Sequence, residues 1–138
     1  PIPDSVVYPQ FNDLNADHRK WTRLGRPTGE YAKGCGLETL LFAYGHDEYL
    51  YRFLTHNKND LPEEAYYIAR YHSCYPWHTQ HEYAHFETEK DRRMKAVVVE
   101  FNTFDLYTKH DDAVDVRACK PYYDALIREY FHSYVLDW

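Results

Sequence analysis

Apolar residues recur along this chain at the spacing of helix faces, and polar clusters separate the runs. From Gly36 onward, Leu37, Leu40, Leu41 and Tyr44 fall three or four positions apart until Gly45 permits a break. A second helical run passes through Glu48, Tyr49, Leu50, Tyr51, Arg52, Phe53 and Leu54 and stops at His56-Asn57-Lys58-Asn59-Asp60. Asp60 before Leu61-Pro62-Glu63-Glu64 predicts a helix reaching about Tyr71, with proline and two carboxylates in the first turn where the dipole favours them. Ser73 to Gln80 reads as a turn around Pro76. Thr88-Glu89-Lys90-Asp91 has the form of a capping sequence for a longer helix running to about Thr108. Residues 109–120 read as a charged loop, and a last helix is expected from Pro121 to about Phe131, before a tail ending at Trp138.

The first 34 residues carry no such period. Pro1, Pro3, Pro9 and Pro27 interrupt helices, and Gly25, Gly29 and Gly34 punctuate turns. The expected fold class is therefore all-α: one domain over 1–138, irregular over 1–34 and helical over 35–138. A chain of 138 residues suffices for a real core.

Composition narrows the function classes. Net charge is -6 with no block of Lys or Arg, which argues against nucleic acid as a partner. No apolar run approaches the roughly 18 residues that span a bilayer, and no signal peptide is visible, so no membrane partner is expected. Cys35, Cys74 and Cys119 are widely spaced without a CxxC, which fits three buried thiols in a reducing cytoplasm. The aromatic share of 18%, with fifteen Tyr, points to rings lining polar interior sites or an interface. The missing initial Met suggests a trimmed or partial chain.

Three polar residues fall on apolar stripes. His72 is in register with Leu61, Ala65, Ile68 and Ala69; Asp105 with Val97, Val98, Phe101 and Phe104; His46 with Phe42, Leu50 and Phe53. A buried Asp requires a partner, and two inward imidazoles make suitable co-ligands for iron, manganese or zinc. His46, His72 and Asp105 are thus candidate metal ligands. Each also has a plainer reading: a hydrogen-bonded core histidine, or an aspartate paired with Lys109 one turn on. Ser73 and Lys109 fall at the rim of such a site, a hydroxyl and a cation able to grip a polyol, or else simply exposed residues.

Two rival motifs are present. His81-Glu82-Tyr83-Ala84-His85 matches the HExxH of zinc proteases, but its surroundings are polar rather than those of a buried helix. His46-Asp47 is a His-Asp dipeptide of the kind found in helical metal phosphohydrolases; neighbours about 100° apart bind together only at a bridging position. A phosphohydrolase and a non-catalytic helical module are the alternative readings.

Six motifs then resemble the myo-inositol oxygenase family in order. They are Gly34-Cys35-Gly36-Leu37-Glu38; Tyr44 to Tyr51; Leu61-Pro62-Glu63-Glu64-Ala65; Tyr71-His72-Ser73 with Tyr75-Pro76-Trp77-His78-Thr79; Glu100-Phe101-Asn102 with Phe104 to Lys109; and Lys120-Pro121-Tyr122-Tyr123 with Trp138. The resemblance runs from about Ser5 to the end. It implies a His-Asp-domain helical bundle with a di-iron centre that uses dioxygen as co-substrate to cleave myo-inositol to D-glucuronate. Carried over by motif, His46 and His72 ligate the iron that chelates the substrate, Asp105 ligates the other, and Ser73 and Lys109 contact the inositol. No residue here is assigned a separate catalytic role. The family's remaining iron ligands lie in an N-terminal half preceding anything in this sequence, so the missing half is the expected partner and this segment alone is expected to be inactive. Gln80-His81-Glu82 replaces the family's Gly-Gly-Asp, and Cys74 replaces an aromatic beside Ser73.

Overall fold

The computed structural model of the chain describes residues 10, 31–42, 44–105 and 114–138. The structure is all-α among those residues, apart from one isolated bridge between Asn59 and Phe131. Helices α1 (His46–His56), α2 (Glu63–Tyr71), α3 (Tyr75–His78), α4 (Glu89–Asp105) and α5 (Val116–Tyr130) follow in order, with 3-10 turns at Leu37–Thr39 and Ala84–Phe86. None of them is long and apolar enough to cross a membrane. The reading of residues 1–30, apart from Gln10, and the end of the α4 run beyond Asp105 lie outside the described residues.

The chain divides into two compact units, Pro1–Phe42 with Cys74–Val99, and Ala43–Ser73 with Glu100–Trp138. The first is built around Leu37, Trp77, Phe86 and Val98, all fully buried, with Leu40 and Met94 beside them. Asp91 lies buried in the same unit, where its Oδ2 accepts from Thr88 N–H at 2.7 Å, Thr88 Oγ1 at 2.6 Å and Leu37 N–H at 3.4 Å. Thr88 Oγ1 in return accepts from Asp91 N–H at 3.2 Å. The expected capping sequence thus does cap α4, and its carboxylate also holds the Leu37 turn. Gly36 sits at φ 88°, where a side chain would be strained and its Cβ would lie 3.3 Å from Thr88 Cγ2. Trp77 Nε1 and Lys95 Nζ both donate to Glu87 Oε1, at 2.7 and 2.9 Å.

In the second unit α1 packs on α2. Phe53, Leu54 and Ala69 form the buried cluster, with Leu61, Tyr66, Phe131 and Leu136 against it. The loop between these helices is organised by Asn59. Its Nδ2 donates to the Leu54 and Asn57 carbonyls at 2.7 Å each, while its Oδ1 accepts from Leu61 N–H at 3.1 Å and Tyr66 O–H at 2.7 Å. Asp60 N–H donates to the Tyr130 carbonyl at 2.8 Å, which ties the same loop to the end of α5.

Several expected boundaries differ. The run from Gly36 to Tyr44 is one 3-10 turn: Leu40 turns to extended backbone, Leu37 and Leu40 are buried, and Leu41 and Tyr44 are exposed. Two leucines on one face support a single turn but not a helix. Phe42 therefore precedes α1 and does not share its stripe with His46. The turn at Ser73 to Gln80 contains α3, which opens with Pro76 in its first turn, where a missing N–H costs nothing. The last helix starts at Val116, not Pro121. Asp115 caps it by accepting from Arg117 and Ala118 N–H, and that cap outweighs the one bond Pro121 removes inside the helix.

Candidate metal centre

His46 is the first residue of α1, directly after the Gly45 N-cap, and His72 is the cap closing α2. Both sit at helix ends, where side chains are less constrained by a neighbouring turn. Their Nε2 atoms approach to 3.2 Å, with the rings edge to face at 74° and centroids 5.1 Å apart. His72 Nδ1 donates to the Ile68 carbonyl at 3.0 Å, which makes Nε2 the acceptor nitrogen of the neutral ring, the atom able to ligate a cation.

Asp47 completes the group. One ligand atom from each of His46, Asp47 and His72 lies within 4.8 Å of the others. Asp47 Oδ1 is 2.8 Å from His46 Nε2 and 3.3 Å from His72 Nδ1. Neither imidazole meets it at a hydrogen-bonding angle, so this buried oxygen has no hydrogen bond from the described residues. A buried carboxylate oxygen facing two imidazoles is what a divalent cation satisfies. Two histidines and one carboxylate form a donor set suited to non-haem iron. The His46 side chain is 71% exposed against 16% for His72, so the centre is open on the α1 side.

The other Asp47 oxygen accepts from the Ser73 hydroxyl, which brings Ser73 to the centre as well. From α4, Asn102 Nδ2 donates to the His72 carbonyl at 3.2 Å and the Phe101 ring lies edge-on to His72 at 6.1 Å. Asp105 comes one turn after Asn102, as the last residue of α4. It is exposed and does not belong to the three-residue group. The stripe of α4 is buried at Asp91, Met94, Val98 and Asn102 and ends there, and Phe104 is 77% exposed. Lys109 lies outside the described residues.

Comparison with known proteins settles the family. A family model described as myo-inositol oxygenase matches residues 2–138. The chain belongs to the myo-inositol oxygenase family. It is 50% identical over 110 residues to the inositol oxygenase of Danio rerio, covering 80% of this chain and 39% of that protein. To that of Dictyostelium discoideum it is 42% identical over 135 residues, 98% of this chain and 46% of the relative. The Homo sapiens inositol oxygenase is 45% identical over 116 residues, 84% of this chain and 40% of the relative. The chain thus spans less than half the length of these curated relatives.

Asp47 is the member of the group that helical spacing does not select. Adjacent positions diverge on a regular helix, yet here both open α1 and reach a third residue, His72, beyond the helix end. The signal was present as Gly45-His46-Asp47, a glycine cap followed at once by two ligand types. The HExxH string fails on backbone grounds. His81 and Tyr83 have φ of 58° and 59°, so the two histidines do not share a helix face.

Proposed function

We propose that this chain supplies part of the di-iron centre of an inositol oxygenase, which consumes dioxygen and opens the ring of myo-inositol to give D-glucuronate. His46 and His72 hold one iron through Nε2, Asp105 contributes to the other, and the remaining ligands come from the N-terminal half of the protein. Bound iron supplies Lewis acidity at the substrate hydroxyls and the redox capacity to use dioxygen. The chain's own residues prepare that site. The Ile68 carbonyl keeps the proton of His72 on Nδ1, which fixes the ring for ligation. Ser73, whose hydroxyl donates a hydrogen bond to Asp47, presents its oxygen lone pairs to accept from a polyol hydroxyl. Lys109 offers ammonium donors to a second hydroxyl or to a developing alkoxide. Three cysteines widely spaced in sequence, without a CxxC, support a cytoplasmic setting.

The observation that carries this reading is the 3.2 Å approach of two imidazole Nε2 atoms in a chain of this family. Iron content and inositol-dependent oxygen uptake of the full-length protein test it. Both are expected to be present, and both are expected to fall to background in His72→Ala. A second reading, a His-Asp phosphohydrolase, is favoured by the closeness of Asp47 to His46. Release of phosphate from a phosphate ester without oxygen uptake would select it instead.

A further inference from the structure

We infer that the ion pair between Glu48 and Arg70 is the positioning device of this centre, holding the two histidines at the separation that one cation requires. The inference rests on His46 and His72 being the ligands. Glu48 follows His46 by two residues on α1, and Arg70 precedes His72 by two on α2. Glu48 Oε2 and Arg70 Nε are 2.9 Å apart, and both side chains are only 14% exposed, so water and salt screen the pair weakly. The Arg70 guanidinium also lies 4.5 Å from the Tyr51 ring centroid, a second contact reaching from α2 to α1.

Position along the helices separates this pair from the general packing of the unit. Phe53 and Leu54, the buried apolar residues of α1, lie about two turns from His46, whereas the ion pair is within one turn of both imidazoles. Two nitrogens serving one ion must stay about 3 Å apart, and a shift of about 1 Å at one helix end removes a ligand. Arg52 provides the internal control. It binds the other oxygen of the same carboxylate at 2.9 Å, but from α1 itself and with a side chain 65% exposed, so it ties nothing across the two helices.

The test is a Co(II) titration of the full-length protein, read by the visible absorption of bound cobalt, alongside thermal unfolding. Glu48→Gln or Arg70→Gln is expected to weaken Co(II) binding on the order of 10- to 100-fold, the range for residues that orient ligands. The double variant should lose little more than either single one, because both remove the same contact. Arg70→Lys should fall between, keeping the charge but not the guanidinium geometry, and Arg52→Gln should bind like the parent. The double variant leaves no buried charge without its partner, since Arg52 is exposed to water, and it carries the test if a single variant fails to fold. Unchanged Co(II) affinity in Glu48→Gln, Arg70→Gln and the double variant, with only the melting temperature lowered, would make the pair a plain structural brace and overturn the inference. His46→Ala and His72→Ala distinguish the two levels. If they bind cobalt like the parent, the metal assignment and this inference fail together; if they lose it while the ion-pair variants keep it, only this inference fails.

Discussion

Replacing Asn59 by alanine is the most demanding test of how the two histidine-bearing helices are joined. The side chain makes four hydrogen bonds between 2.7 and 3.1 Å, two donated to the ends of α1 and its loop and two accepted from the start of α2. Each neutral bond is worth about 1 kcal/mol net, which sets a ceiling of about 4 kcal/mol for the set. Asn59 is only half-buried, so water replaces some of the lost partners and the expected loss is about 2–3 kcal/mol. Asn59→Asp separates the two sides of the network. Its carboxylate still accepts from Leu61 and Tyr66, but sets an anionic oxygen 2.7 Å from the Leu54 and Asn57 carbonyls. It should be at least as destabilising as alanine at neutral pH, with partial recovery on acidification as the protonated acid regains a donor. Urea unfolding followed by circular dichroism measures both, as a shifted midpoint at unchanged slope. A loss well under about 1 kcal/mol for the alanine variant would show that the loop is not held by this side chain.

Three further outcomes follow from other residues. Burial and the neighbouring charges of Cys74 and Glu82 push the Tyr83 hydroxyl up to about 12. Its folded value lies above the unfolded one, so its contribution is complete below pH of about 10 and is lost as pH rises through about 12. Tyr83→Phe should flatten alkaline unfolding slightly in that window, the effect staying small because the ring is half-exposed, and an identical alkaline profile would contradict it. Trp77→Phe shrinks a fully buried ring and takes one of two donors from Glu87, so a loss of about 2–4 kcal/mol is expected by denaturant titration. Asp105→Ala should lower the iron content of the full-length protein while its circular dichroism is unchanged; unfolding with iron retained would mark Asp105 as structural.

Helix periodicity made much of this fold readable in advance: α4 buries a stripe through Asp91, Met94, Val98 and Asn102, and α1 and α2 lie where the apolar runs place them. It misled wherever a local cap decided the boundary. Asp115 starts α5 five residues before the proline that reads as a start, and Leu40 ends the Leu37 turn by becoming extended. Of the candidate site residues read from the sequence, His46, His72 and Ser73 are brought together by the structure. Asp47 was read only within the rival His46-Asp47 dipeptide, because neighbours about 100° apart meet one partner only where a third residue, here His72, lies between them. Asp105 follows the stripe of α4 in sequence, but burial ends at Asn102 and leaves it exposed at the helix end. Nor did sequence spacing foresee the Glu48–Arg70 pair, since contacts between separate helices leave no period in the chain.

The most direct test of the central claim is anomalous diffraction at the iron edge from crystals of the iron-loaded, full-length protein. An iron peak about 2 Å from the Nε2 atoms of both His46 and His72 is predicted, and the same map identifies the nearest carboxylate as Asp47 or Asp105. Iron bound with either imidazole turned away from it would contradict the account.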